Sequence, residues 1–393
     1  MNALLKTPDT AHAQPLFTQS ASVASCGEPK PAINVIRRAS KPVTVRDVIV
    51  GGTAPVSVQS MLTGDTCDIQ ESITQIKRLA EAGCEIMRLA VPNKEAAEAL
   101  KTIVPASPIP IVADIHFDYR LALQAAENGV DALRVNPGNL SEKDFIRQVA
   151  RKAKALKLPI RVGVNSGSVE KPVKAQYPDD RVRQLVESAL LNVRLLEDEG
   201  FDDIVISVKA SDPLETIAAY RQLAPLVPYA LHLGVTEAGT LKRGLVKSAF
   251  ALGTLLLEGI GDTIRVSLTA DSIEEVFAGH EILRSVGLRN EGVNLISCPS
   301  CGRCEVDLHG LANAVETMVA KIETPMNVAV MGCFVNGPGE AGHADVGIAG
   351  GKGQYYIFRG EERVKKVAES EALEAFAAEL AEVEAEKRLA AQH

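Results

Sequence analysis

The sequence predicts an α/β fold: a (β/α)8 TIM-type barrel followed by a smaller α/β domain. Three observations carry this reading. From about residue 40 to 290, eight short β-rich runs alternate with amphipathic helical segments, the cadence of a barrel rather than of an open sheet. No G-x-G-x-x-G follows the first run, which weakens a dinucleotide-binding fold. Beyond about residue 290 the cadence stops, and four of the seven cysteines fall in one short stretch.

The eight runs are Val56–Ser60, Glu85–Leu89, Ile109–Asp114, Ala132–Asn136, Ile160–Asn165, Ile204–Lys209, Tyr229–Gly234 and Thr263–Ser267. Segments such as Ile69–Ala82 and Arg181–Glu199 place apolar residues at helical spacing between them. In the second unit, Val293–Ser297 reads as a strand entering the cysteines and Leu308–Lys321 as a helix. Asn327–Met331 is a strand entering Gly332-Cys333. A glycine-rich stretch, Asn336–Gly342, precedes the runs Ala344–Ala349 and Tyr355–Arg359. The closing Ala/Glu-rich helix, Ser370–Arg388, is expected to pack a Leu and Ala face with its charges solvated. The expected domains are thus a mobile tail over 1–34, a barrel over 35–290 and a cysteine domain over 291–393.

The chain has 393 residues and a net charge of −8, with 46% hydrophobic and 23% charged residues, which excludes a disordered class. Acidic balance, 4% aromatics and no Trp argue against nucleic-acid binding. No apolar run reaches about 18 residues, so no membrane span is expected. The amino terminus lacks the order of a secretory signal, which points to the cytoplasm.

Polar residues stand at the end of nearly every run: Arg88, Asp114, Arg134 with Asn136, Arg161 with Asn165, Lys209, Glu237 and Arg265 with Ser267. Barrel chemistry is built at these carboxyl ends. One such arginine is readily a rim salt bridge. Five basic residues on five strand ends would repel one another unless a multiply charged anion, most simply a phosphate or diphosphate, neutralised them.

Cys298 and Cys301 share one tight turn, and Cys333 follows 32 residues later on another. Thiolates there suit either zinc, with Cys304 as fourth ligand, or an iron–sulfur cluster. Two details favour a catalytic cluster. A phosphate-binding barrel adjoins the metal domain, and Glu340 lies in a Gly/Pro loop able to wrap a cluster and offer it a displaceable oxygen.

The stretches Cys298-Pro-Ser-Cys301-Gly-Arg and Met331-Gly-Cys333-Phe-Val-Asn-Gly-Pro-Gly-Glu340 strongly resemble the bacterial 4-hydroxy-3-methylbut-2-en-1-yl diphosphate synthases of the non-mevalonate isoprenoid pathway. The barrel agrees through Val58-Gln59-Ser60-Met61, Asp114-Ile-His116-Phe117, Leu133-Arg134-Val-Asn136-Pro-Gly-Asn139, Arg161-Val-Gly-Val-Asn165-Ser-Gly-Ser168 and Leu233-Gly-Val-Thr236-Glu237-Ala-Gly239. The resemblance spans roughly residues 35 to 360. It departs from plant-type members, which carry an inserted domain for which this chain has no room between Arg289 and Cys298.

The resemblance implies a [4Fe-4S] cluster on Cys298, Cys301, Cys333 and Glu340. It implies reductive ring opening of 2-C-methyl-D-erythritol 2,4-cyclodiphosphate with loss of water, flavodoxin or ferredoxin as electron donor, and a homodimer. Arg88, Arg134, Arg161, Lys209 and Arg265, with Asn136, Asn165 and Ser267, are then the expected grip on the cyclic diphosphate. Glu340 is expected to yield its iron to a substrate oxygen, Glu237 to donate the proton, and Asp114 to orient an Arg or a substrate hydroxyl. His116 and His232 are either assistants or structural. Cys304 is expected not to bind iron. The competing readings are an iron–sulfur electron carrier or sensor, and a zinc-containing barrel lyase acting on sugar phosphates.

Overall fold

The structure, a computed structural model, describes residues 35–116, 118–136, 143–333 and 342–391. The expected mobile tail over 1–34 lies outside the described residues, as do Phe117, Asn139 and Glu340. The first described element is an antiparallel hairpin of β1 (Val43–Val45) and β2 (Val48–Val50). Eight parallel strands then close into a barrel: β3 (Ser57–Met61), β4 (Ile86–Ala90), β5 (Ile111–Ile115), β6 (Ala132–Val135), β7 (Ile160–Asn165), β8 (Ile204–Lys209), β9 (Ala230–Leu233) and β10 (Thr263–Ile264). Closure comes from β10, which pairs with both β9 and β3.

Helices follow each strand: α1 (Ile69–Glu81), α2 (Lys94–Ala106), α3 (Tyr119–Glu127), α4 (Lys143–Leu156), α5 (Lys171–Gln176) with α6 (Arg181–Glu197), α7 (Pro213–Leu223), α8 (Leu241–Leu257) and α9 (Ser272–Ser285). Six of them begin on an Asp or Asn whose side chain accepts from the first-turn amides: Asp68, Asn93, Asp118, Asp180, Asp212 and Asp271. These caps satisfy otherwise orphaned donors and fix where each strand-to-helix loop ends.

Two features of the barrel depart from expectation. The hairpin was not expected, because its two β-branched runs are joined by Arg46-Asp47 with no glycine; the turn places Arg46 in the left-handed region at φ 55°. Val43, Val45 and Val50 pack on Ile86, Val112, Ala132, Val205 and Ala230 and cover the amino-terminal mouth. The eighth run was expected to be a strand through Ser267, yet its ladder stops at Ile264. Beyond it Arg265 still donates to Leu233 O at 3.0 Å, while the Leu268 amide turns to the Glu275 carboxylate at 2.9 Å instead of to a neighbouring strand.

The carboxyl-terminal unit is a five-stranded sheet in sequence order: β11 (Val293–Ser297), β12 (Met326–Met331), β13 (Val346–Gly351), β14 (Gln354–Arg359) and β15 (Glu362–Ala368). The first three are parallel and the last two antiparallel. Helices α10 (Leu308–Val319) and α11 (Ala372–Ala390) cover one face through Val315 and Phe376, packed against Val328, Ile348 and Ile357. The charges of α11 are not all solvated as expected. Glu379 is 3% exposed and paired with Arg359 and Lys365. β15 escaped the sequence reading because its Arg and Lys residues lie on an exposed edge, where charge is a defence against further strand pairing. Among the described residues no helix is long and apolar enough to cross a membrane.

Asp262, 2% exposed, pins the segment before the hairpin to the barrel: it accepts from Arg37 at 2.8 Å, Ser40 at 2.9 Å and the Leu231 amide at 2.8 Å. Replacing Asp262 with Ala strands these donors and should lower unfolding stability by about 3 kcal/mol in a urea titration, while far-ultraviolet circular dichroism stays native.

Candidate active site

At the carboxyl ends of the barrel strands lies a polar cavity of about 150 Å³. Arg88, Asp114 and Arg134 reach it from β4, β5 and β6; Asn165 and Lys209 are the last residues of β7 and β8. Thr236, Arg265 and Ser267 enter from the loops after β9 and β10, with Met61, His116 and Ser207 completing the wall.

Asp114, 2% exposed, organises the cations. Arg134 Nη1 donates to its Oδ1 at 2.8 Å, Arg88 Nε stands 3.5 Å from Oδ2, and His116 Nε2 lies 3.3 Å from Oδ2. Burial alone would raise this carboxyl, but Arg88, the His116 contact and Arg134 hold it well below the usual carboxylate range. Arg88 and Arg265 both point guanidinium nitrogens at Met61 Sδ, at 2.7 and 3.6 Å. Lys209, 7% exposed, has no ion-pair partner among the described residues; burial, then Arg161 and Arg88, push its ammonium well below the ordinary lysine value. Among the described residues, the buried carboxylates beside Arg88, Arg134, Arg161, Lys209 and Arg265 are Asp114 and Glu275, so the five basic side chains outnumber them by three.

Two inward-facing glycines make room for this crowd. A Cβ on Gly163 would lie 2.5 Å from Arg134 Nε, and one on Gly234 would lie 2.6 Å from Lys209 Nζ. Neither glycine was singled out in the sequence, since nothing in a strand's pattern shows which side chain crosses it. Ser207 was also missed, although its place two residues before Lys209 puts it on the same face. Glu275 carried no local signal at all.

Arg161 is the site residue whose depth differs from expectation. As the second residue of β7 it sits below the cavity, not at its strand's end, and donates to Gln59 Oε1 at 2.5 Å. Its Nε and Nη2 have no partner among the described residues. Asn136 is 2% exposed, and its Oδ1 has no partner among the described residues. Glu237 is exposed beside the cavity-lining Thr236, in a left-handed turn at φ 53°. His232 is fully buried and kept neutral by burial and by Arg161 and Lys209, so it lies beneath the cavity and not in its wall.

In the carboxyl-terminal sheet, Cys298 directly follows β11 and Cys333 lies just past β12. These strands are parallel neighbours, so both turns leave the same end of the sheet. Cys67, Cys84, Cys298, Cys301 and Cys304 are free thiols, and the Gly332 amide donates to Cys298 Sγ at 3.2 Å. Thiols on adjacent turns, one already accepting an amide hydrogen bond, fit a thiolate-held iron–sulfur cluster. Among the described residues no three ligating side chains are gathered around one point, and Glu340 lies outside them. Cys304 faces elsewhere: its thiol donates to Val306 O at 3.3 Å and packs under Gly332.

The GcpE TIM-barrel domain matches residues 40–280, and the GcpE protein C-terminal domain matches residues 294–382. The chain belongs to the GcpE family. Proteins named 4-hydroxy-3-methylbut-2-en-1-yl diphosphate synthase (flavodoxin) are similar along nearly their whole length. That of Geobacter sulfurreducens is 52% identical over 352 residues, 90% of this chain and 100% of the relative. That of Desulfotalea psychrophila is 54% identical over 355 residues, 90% of this chain and 98% of the relative. Solved structures such as the Yersinia pestis dihydropteroate synthase (13% identity, TM-score 0.47, 62% of this chain and 98% of that one) are too distant to carry an argument.

Within this family member, Gly163→Ala should drive Arg134 from its place and weaken binding of inorganic pyrophosphate by about tenfold or more in titration calorimetry, with the fold retained. The Lys209 shift has a sign as well. Its charge is lost at lower pH than an ordinary lysine, so pyrophosphate affinity should fall as pH rises through the range below about 10.4. Lys209→Arg should move that fall to higher pH.

Proposed function

We propose that the chain forms (E)-4-hydroxy-3-methylbut-2-enyl diphosphate by reductive ring opening and dehydration of 2-C-methyl-D-erythritol 2,4-cyclodiphosphate. It is then an oxidoreductase of isoprenoid precursor synthesis. The observation that carries this reading is the polar cavity whose basic side chains outnumber the buried carboxylates beside them, in a chain of which 90% aligns with a synthase of that product. A cyclic diphosphate supplies the missing negative charge, and ring opening frees a further charge on the diphosphate where the cations stand.

Arg88, Arg134, Lys209 and Arg265 bind the diphosphate oxygens, with Asn165 and Ser267 donating to those left over. Arg161 and Asn136 support this layer from below and behind. Asp114 serves by holding Arg88 and Arg134 apart and aimed, which leaves it no proton to give. Glu237 is the proton donor for the departing hydroxyl, and its exposed turn is placed to approach the mouth of the cavity. Cys298, Cys301, Cys333 and Glu340 would hold a [4Fe-4S] cluster, which supplies single electrons at low potential that no side chain can supply. Flavodoxin, which the relatives' names carry, is the electron donor, and the working form is a homodimer.

Anaerobic purification should yield a coloured protein with iron and sulfide in equal amounts. With reduced flavodoxin it should convert the cyclic diphosphate to the linear product. Cys333→Ser should abolish the iron content, whereas Cys304→Ser should leave it intact. A colourless zinc protein active without reductant would replace this reading with a barrel lyase, and a cluster with no affinity for the cyclic diphosphate would replace it with an electron carrier.

A further inference from the structure

The barrel seam between β10 and β3 is a short join: Thr263↔Ser57 and Ile264↔Val58 pair across it, as few positions as on the β8–β9 and β9–β10 joins. The ladder with β3 stops before Arg265, so Arg265 and Ser267 line the site from a stretch held on its β9 side, where the Arg265 amide donates to Leu233 O. One buried side chain occupies the gap. Glu275, in the first turn of α9, is 4% exposed, and its Oε2 accepts from Ser60 Oγ on β3 at 3.2 Å. The same oxygen accepts from Arg265 Nε at 3.3 Å and Nη2 at 3.2 Å, and Oε1 accepts from the Leu268 amide at 2.9 Å. One carboxylate thus ties β3, the post-β10 loop and a cavity arginine together. The helix comes close enough because of Gly279, one turn on, where a Cβ would meet Val58 Cγ1 at 2.8 Å.

We propose that Glu275 is a positioning residue that replaces the missing ladder at the barrel seam and aims Arg265 at the diphosphate of the substrate. This extends the anion-binding reading above and rests on it for the diphosphate. Arg265 stands among like charges on Arg88, Arg134 and Lys209, so a guanidinium without a fixed counter-charge would swing away from them. Glu275 lies outside the cavity wall and acts only through Arg265 and the loop.

The test uses the full-length, anaerobically purified protein with inorganic pyrophosphate as the probe. Glu275→Gln should weaken pyrophosphate binding about tenfold, the scale of losing one charge-assisted hydrogen bond. It should raise KM for the cyclic diphosphate more than it lowers kcat. In an Arg265→Gln background the same change should cost nothing further, because the two side chains act as one unit. Hydrogen exchange at the Leu268 amide should quicken in Glu275→Gln. Gly279→Ala, which keeps both charges but pushes α9 outward, should reproduce the Arg265-dependent loss if Glu275→Gln does not fold. Unchanged pyrophosphate affinity, or an equal further loss in the Arg265→Gln background, overturns the aiming role. Unchanged exchange at Leu268 overturns the seam role. If the parent protein itself fails to bind pyrophosphate, the diphosphate reading falls, and the Leu268 exchange still decides the seam.

Discussion

Positive charge enclosed by a closed sheet is the constraint around which this molecule is arranged. Arg88, Arg134, Arg161, Lys209 and Arg265 are gathered at 14% side-chain exposure or less in the barrel interior, where desolvation opposes every one of their charges. Asp114 and Glu275 relieve part of the repulsion, and each does so for cations on neighbouring strands or loops rather than on its own. The remainder is a standing cost of the empty fold. A bound anion removes that cost, so repulsion stored in the free protein returns as binding energy. A neutral ligand of the same shape would leave it in place.

The rest of the barrel serves this arrangement by making it rigid and one-ended. The hairpin β1–β2 covers the amino-terminal mouth with valines, at the end of the barrel opposite the polar cavity. Capping carboxylates and amides hold those loops at fixed points on six helices. Gly163 and Gly234 let the long cationic side chains lie across neighbouring strands instead of clashing with them. Small residues inside the barrel are as necessary to the site as the charged ones.

What was legible in the sequence follows from how buried parallel strands are written. Their cores are short apolar runs, so all eight were readable, and the polar residue that ends each run named most of the cavity. The hairpin was hidden because its turn uses Arg46-Asp47 instead of glycine, and β15 because its exposed edge is charged. Arg161 shows a deeper limit. A strand's end is visible in sequence, but the stagger between strands is not, so residues that look equivalent on paper occupy different layers. Glu275 was unreadable for a related reason. It belongs to a helix whose pattern is ordinary, and its importance comes from a two-residue ladder on the other side of the seam.

Cysteine spacing has the same ambiguity, and packing sets the sulfurs apart. Cys301 and Cys304 are separated like Cys298 and Cys301, so spacing alone offers all three as ligands. Cys298 continues the ladder by donating its amide to Val330 O at 3.1 Å, and its sulfur accepts the Gly332 amide. That bond couples the two cysteine turns. Cys304 instead fills the space under Gly332, where any added Cβ would come within 2.8 Å of its sulfur. Gly332 is therefore required by close approach on both sides, to the Cys298 sulfur through its amide and to Cys304 through its missing side chain. A thiol committed to that packing cannot turn outward to a metal without opening the turn that carries Cys333.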